Sequence, residues 1–368
     1  MHISALRLLS VIVMVSVAPL RAQAPPPPAE ALDGVDTVLL LKTGKETFGK
    51  TAFKSEYGRF TYLFASAETK AEFDAGPERY AIQMNGACAR MGSGTGNPSN
   101  YAVVDGKIYI FASDGCQKAF VAAPARFIPK PAPPLPSDPT AQAAGRALLD
   151  RAAQAHGGAK LDALTSYTES YVVATANPMP SPPRVTTTWR LPDAVRSERS
   201  FQMGNQSRTI VTLLADGSGW NGPADAPLSP MNPVSLPGLQ QQMRRLILPL
   251  LRARNAPGTK VAALPPATVD GVQLDRVRMV REGLDVTLNI DPASGRVHST
   301  TAIDRGTDSA FGEVVVIFGD YRQVDGLLVP FNEKGLFEGQ PETFLSRHLE
   351  SATVNPAVDP ALFKAGGR

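Results

Sequence analysis

The stretch "LDVTLNIDPASGRVHSTTAI", Leu284 to Ile303, decides the fold of the larger part of the chain. Side chains alternate between the two faces of a strand, so Val286, Leu288 and Ile290 share one face and Asp285, Thr287 and Asn289 the other. "DPASG", Asp291 to Gly295, is a hairpin signal, and "RVHSTTAI" reads as the returning strand. A pair built this way belongs to an antiparallel sheet with one apolar and one polar side.

The pattern extends in both directions. "SYTESYVVAT", "RVTTTWRL", "AVRSERSF", "SRTIVTLLADG" and "VQLDRVRMV" precede it, and "EVVVIFGDYR", "LLVPFNEKGLF" and "FLSRHLESATV" follow, about ten strands in all. Asp-Gly pairs at Asp270 and Asp325 add hairpin signals, and a phase change near Asp275 and Arg276 predicts a bulge. A helix opens the meander: Ser137 or Asp138 caps it, Pro139 suits its first turn, and Gly157 and Gly158 end it. Its expected apolar face carries Ala144, Leu148, Ala152 and Ala155, and His156 falls in the last turn, where the helix dipole favours a cation. A second helix, "LPGLQQQMRRLILPLLRAR", sets Leu239, Met243, Leu246, Leu250 and Leu251 largely on one side, with a kink expected at Pro249. A strongly curved sheet with a helix at its mouth encloses a space that side chains or a ligand must fill. The reading predicts a hydrophobic cavity bordered by Trp189, Trp220, Leu246 and Leu250.

The first 24 residues place His2 and Arg7 ahead of an apolar run from Leu8 to Leu20, followed by small residues at Ala22 and Ala24. That is the pattern of a secretory signal peptide, too short for the roughly 20 residues of a spanning helix. The expected mature protein is periplasmic or secreted and does not span a membrane. With 43% hydrophobic residues and a net charge of +3, the composition is globular. Basic residues are scattered rather than clustered with aromatics, which argues against nucleic acid as a partner.

Pro129 to Pro139 holds six prolines in eleven residues and reads as a stiff spacer. Taking residues 129–138 as the linker leaves a first domain at 30–128 and a second at 139–368. The first contains a repeat: "YLFASAETKAEFDAGPERY" from Tyr62 matches "YIFASDGCQKAFVAAPARF" from Tyr109 at an offset of 47. Each copy predicts a strand, a serine cap, a short helix with an inward phenylalanine, and a proline after it. The two phenylalanines, Phe73 and Phe120, are expected to pack in one small α+β core. "GSGTGNPSN", Gly92 to Asn100, lacks the Gly-Lys-Ser/Thr ending of a phosphate loop and reads as a flexible loop before the strand "YAVV".

The tract from "VDTVLLLKTGKETF" through "PERY" and "NGACARM" to "DGKIYIFASDGCQKAF" resembles a YHS domain, a small module of secreted and some metal-transport proteins. Metal-associated relatives read Y-x-F-C-S-x-x-C at the second strand and helix; here Ala112 replaces the first cysteine and Cys116 remains. Cys116 would lie near the start of its helix, where thiolate is favoured. Three uses are open to Cys88 and Cys116: a disulfide, a soft-metal site for Cu(I) completed by Met84 and Met91, or two buried free thiols. An oxidising compartment favours the disulfide, which would stabilise the domain by roughly 3.5 kcal/mol.

In the second domain, "AQAHGGAKLDAL", "LNIDPASGRV" and "FGDYRQVDGLLVP" resemble the LolA-like lipoprotein-carrier superfamily. That resemblance implies an unclosed, helix-covered β-barrel whose apolar cavity takes acyl chains or other lipids. His156, His298 and His348 are far apart and fit no metal or catalytic spacing, and no G-x-S-x-G occurs. The sequence thus points to a non-catalytic exported protein that binds a lipid, an acyl chain or a lipid-modified envelope partner, with soft-metal binding or redox sensing as the alternative.

Overall fold

The computed structural model describes residues 28–174, 181–204 and 206–366; the segment read as a signal peptide lies outside them. Near the N-terminus, helix α1 (Thr37–Thr43) is fastened by the buried Asp36. One of its carboxylate oxygens accepts from the Val38 and Leu39 amides and the other from Ala65 N–H, so one side chain ties the helix start to a strand end. Strands β1 (Lys50–Tyr57) and β2 (Phe60–Phe64) form a hairpin, followed by α2 (Ala67–Ala75). The second copy repeats this order as β3 (Asn97–Val104), β4 (Lys107–Phe111) and α3 (Asp114–Ala122). Ser66 and Ser113 cap the two helices by accepting from the third helical amide, at Thr69 and Cys116.

Phe73 and Phe120 both point inward, but they do not share a core. Phe73 packs with Tyr62 and Phe64, and Phe120 with Tyr109, Phe111 and Phe127. Each helix lies on its own hairpin, so the repeat builds two adjacent cores, linked by isolated bridges at Ile82–Ile108 and Cys88–Ile110. The glycine-rich loop is packed rather than open. A Cβ on Gly92 would lie 2.3 Å from Arg305 Nε, and one on Gly96 would lie 2.4 Å from the Ile110 side chain.

After residues 129–138, which carry no regular secondary structure, Asp138 caps α4 (Pro139–Ala155). The buried face of this helix runs through Gly145, Leu149, Ala152 and Ala153 rather than through Ala144. Gly145 sets that rotation: a Cβ there would come within 2.8 Å of the Ala262 and Ala263 backbone, so its absence lets helix and strand touch.

The meander comprises β5 (Ser166–Val173), β6 (Arg184–Arg190), β7 (Ala194–Met203), β8 (Gln206–Ala215), β9 (Ser218–Pro223), β10 (Lys260–Val269), β11 (Val272–Arg281), β12 (Leu284–Ile290), β13 (Val297–Arg305), β14 (Phe311–Val324), β15 (Leu327–Phe337) and β16 (Arg347–Val354). From edge to edge the order is Ser229–Pro230, β9, β8, β7, β6, β5, β16, β15, β14, β13, β12, β11, β10, every pairing antiparallel. The two ends of that order are not paired with each other, so the sheet is unclosed. The phase change at Asp275 is real, but the extra residue lies on the facing strand, between Leu264 and Ala267, where Pro265 and Pro266 interrupt the ladder. The polar face of β12 is covered too: Asn289 is fully buried and donates to Ser299 and Thr301 hydroxyls.

The mid-chain helix is two helices, α5 (Leu236–Arg244) and α6 (Ile247–Arg252). The break falls at Leu246, whose backbone is extended, and not at Pro249. Pro249 is the third residue of α6, where its missing N–H has no intrahelical partner to lose. This frees α6 to sink into the core, with Ile247, Leu248, Leu250 and Leu251 buried.

His156 does not act as an exposed cation at a helix end. It is completely buried beyond the last turn of α4; its Nδ1 donates to Leu328 O at 2.9 Å and its Nε2 accepts from Val297 N–H at 3.2 Å. The ring is therefore neutral, and burial lowers its pKa from 6.5 to about 4. Unfolded chains take up the proton first, so this contribution is complete above the ordinary histidine pKa and is lost as pH falls from about 6.5 to 4. The loss over that window amounts to about 3 kcal/mol. We expect urea denaturation to show this acid-side loss in the native chain, and His156→Leu to be less stable at neutral pH with a flatter acid profile.

Candidate functional site

Alternation along β5 aims Tyr167, Glu169 and Tyr171 at the face that Trp189 of β6 also occupies, since Tyr167 pairs with Trp189 and Glu169 with Thr187. On the far side of β16, Glu333 of β15 pairs with Arg347. Three charged side chains thus converge from three strands. Arg347 Nη1 donates to Glu169 at 2.5 Å, while its Nε and Nη2 hold both oxygens of Glu333 at 2.7 Å. Glu169 and Glu333 are buried and Arg347 nearly so: side-chain exposure is 4%, 6% and 11% respectively. The guanidinium also lies over the Tyr171 ring, 4.7 Å from its centre.

Two carboxylates and one guanidinium leave one negative charge unmatched. Burial pushes the Glu169 carboxyl above its ordinary range, Glu333 adds to that, and Arg347 opposes it. Burial also works against the Arg347 charge, yet Glu169 and Glu333 hold its pKa well above the usual value. Tyr167 Oη stands beside Glu169, and its pKa is raised by burial and by that carboxylate. Among the described residues, Tyr167 Oη and Trp189 Nε1 are buried without a well-formed hydrogen bond.

Two spaces meet at this triad. The larger, about 200 Å³, lies on the inner face of β13 and β14 beneath the end of α5. Its walls are largely apolar: Met243 and Leu246 above, Ala302, Val314, Val316 and Phe318 below, and Phe344 and Leu345 at the side. Its polar lining is Gln242, Thr300, the Arg245–Asp304 ion pair, Arg305, Glu333 and Arg347. The smaller, about 10 Å³, lies deeper between the triad, Tyr167, Trp189 and the first turn of α6, and the two spaces share Leu246, Glu333 and Arg347. On the other side of Phe344 and Leu345, a groove of about 350 Å³ runs over β5 to β8. Phe344 is 41% exposed, so an aromatic ring stands between the two openings.

Of the four residues expected at a cavity, Leu246 lines both spaces and Trp189 the inner one. Leu250 is sealed inside the core. Trp220 lies on the opposite face, in a small cluster with Ala194, Leu213, Ala215 and Phe363, because Gly219 and not Trp220 continues the inner row past Leu214. Sequence reasoning missed Glu169, Glu333, Arg347 and the Phe344–Leu345 divider. A charged residue alternating between two tyrosines in "YTESY" was the available signal for the first.

Cys88, Cys116, Met84 and Met91 come together in the core of the second repeat copy. Both cysteines are free thiols in place of the expected disulfide: Cys88 is fully buried and forms a backbone bridge to Ile110 of β4, and Cys116 is half-buried in the first turn of α3. Among the described residues no group of three or more His, Cys, Asp and Glu side chains could hold a metal ion. No helix among them is long and apolar enough to cross a membrane.

No family model and no curated protein sequence matches the chain. Solved structures similar to it include an outer membrane lipoprotein-sorting protein domain from Vibrio parahaemolyticus, with 9% identity, TM-score 0.39, and coverage of 60% of this chain and 97% of that one. A LolA superfamily protein from Nitrosomonas europaea gives 10% identity and TM-score 0.40 over 60% of this chain and 97% of its own. A DUF1329 family protein from Desulfovibrio piger gives 11% identity and TM-score 0.37 over 61% and 97%.

Removing one partner of a buried ion cluster is costly because the others stay buried and unpaired. Arg347→Met is expected to destabilise the chain by about 3 to 5 kcal/mol, measured by urea denaturation. Glu169 binds its proton more tightly folded than unfolded, so its stabilising contribution is present below the ordinary carboxylate range and is lost as pH rises through its raised pKa. Glu169→Gln should therefore be tolerated and should flatten that decline.

Proposed function

We propose that this is an exported, non-catalytic binding protein whose unclosed sheet takes the hydrocarbon chain of a lipid, or the acyl chain of a lipid-modified envelope partner, into the cavity beneath α5. The observation that carries the reading is the largely apolar space of about 200 Å³ between helix and sheet, with Phe344 at its rim. The sequence resemblance to LolA-like carriers supports the same ligand class. Each buried methylene contributes about 0.8 kcal/mol, so about ten would supply the roughly 8 kcal/mol of a micromolar complex before ordering costs. The N-terminal unit, YHS-like in sequence, serves in this reading to stabilise or sense. It abuts the cavity wall: Arg305 of β13 donates to the Ala89, Arg90 and Phe127 carbonyls.

Native mass spectrometry of the exported protein should show a bound amphiphile, and added lipid should displace a lipid-sensitive dye. Ala302→Trp, which fills the cavity floor, should weaken dye binding about ten-fold or more with unchanged circular dichroism. Absence of both bound amphiphile and dye displacement would overturn the reading.

One observation favours a second reading: the sulfurs of Cys88, Cys116, Met84 and Met91 share one cluster, a donor set soft enough for Cu(I). Reduced protein should then bind Cu(I) in competition with a chromophoric chelator, and Cys116→Ser should lose that binding. Unchanged binding in the variant would dismiss the sulfur site.

A further inference from the structure

The polar end of the cavity has a definite charge, and that charge selects what can enter with a hydrocarbon chain. Arg347 directs its side-chain hydrogen bonds to Glu169 and Glu333. Among the described residues no other cation is paired with either carboxylate, and Arg199 of β7 lines the neighbouring groove rather than the inner space. The first turn of α6 offers only Leu246 to Pro249, Tyr167 and Tyr171 flank Glu169 on its own strand, and β6 brings Thr187 and Trp189. At the mouth, Arg245 is already paired with Asp304. Arg305 is turned to backbone carbonyls of the N-terminal unit. The inner end therefore carries an excess negative charge in surroundings of low polarity, where unbalanced charge is expensive.

We propose that the preferred ligand is an amphiphile with a primary amine head, its ammonium seated against the Glu169 and Glu333 carboxylates and its chain lying in the apolar cavity. The proposal rests on the carrier reading and names its ligand class. An ammonium brings the missing charge and three N–H donors, for which the two carboxylates and Tyr167 Oη are acceptors. The inner space of about 10 Å³ admits one water-sized group, which an ammonium is and a trimethylammonium is not. A free carboxylate head would meet the same charge with the wrong sign. The raised pKa of Glu169 agrees with this count, since burial and the second carboxylate both disfavour its charge.

The test compares four ten-carbon probes on the full chain by titration calorimetry: decylamine, decyltrimethylammonium, decanol and decanoate. At about pH 7.5 the amine is charged, and it should bind at least about ten-fold more tightly than the other three. Glu169→Gln should erase that preference by weakening decylamine binding at least about ten-fold. A decanoate or decanol affinity equal to that of decylamine would refute the amine head while leaving the carrier reading standing. A preference that survives in Glu169→Gln would likewise refute it. Binding of none of the four would refute the carrier reading itself. Should the variant fail to fold, the head-group series on the unaltered chain decides alone.

Discussion

The large sheet depends on how its two halves are joined. One half, β5 to β9, runs outward from the first strand, and the other, β10 to β15, runs back toward it. The final strand, β16, closes the gap, yet it shares only two register pairs with β15, Asn332 with His348 and Glu333 with Arg347. So short a ladder is a weak joint, and Arg347 reinforces it by gripping a carboxylate on each side. The same side chain pins β16 to β15 through Glu333 and to β5 through Glu169. The price is a charged cluster in the interior, which apolar packing of the same volume would avoid.

That joint also shapes the cavity. By holding β5, β16 and β15 together on one face, the triad forms its inner end, and the break at Leu246 lets α6 plug the core while α5 stays above as a cover. The N-terminal unit braces this arrangement from outside. Arg305 is part of the cavity wall and of the contact between units, and burial lowers its pKa to about 10. Gly92 permits its approach, Arg126 pairs with Asp308, and Asn232, just ahead of α5, donates to Thr95. The cover helix is thus anchored to the unit that carries the sulfur cluster.

Much of this was legible in the sequence wherever a local rule acts alone. Period-two alternation and Asp-Gly turns located the ten expected strands, and the serine caps of the repeat fell at Ser66 and Ser113. What escaped were features set by tertiary contact. Lys260–Val269 hides its strand behind two prolines that an edge bulge tolerates. The face of Trp220 turns on a one-residue register, and the rotation of α4 on a glycine that lets it touch β10. Glu169, Glu333 and Arg347 are separated by more than 160 residues at the extremes, so no spacing rule could gather them, and only the strand order makes them neighbours.

The central claim is that a hydrocarbon chain enters the space bounded by Leu246, Glu333 and Arg347, beside Trp189. In a Trp220→Phe background Trp189 is the sole tryptophan. Its fluorescence can then be followed while an alkylamine brominated along its chain is added, with the unbrominated amine as control. The account predicts saturable quenching by the brominated chain alone, relieved by excess unbrominated amine. Fluorescence unaffected by the brominated chain, despite measurable binding, would place the ligand elsewhere and contradict it.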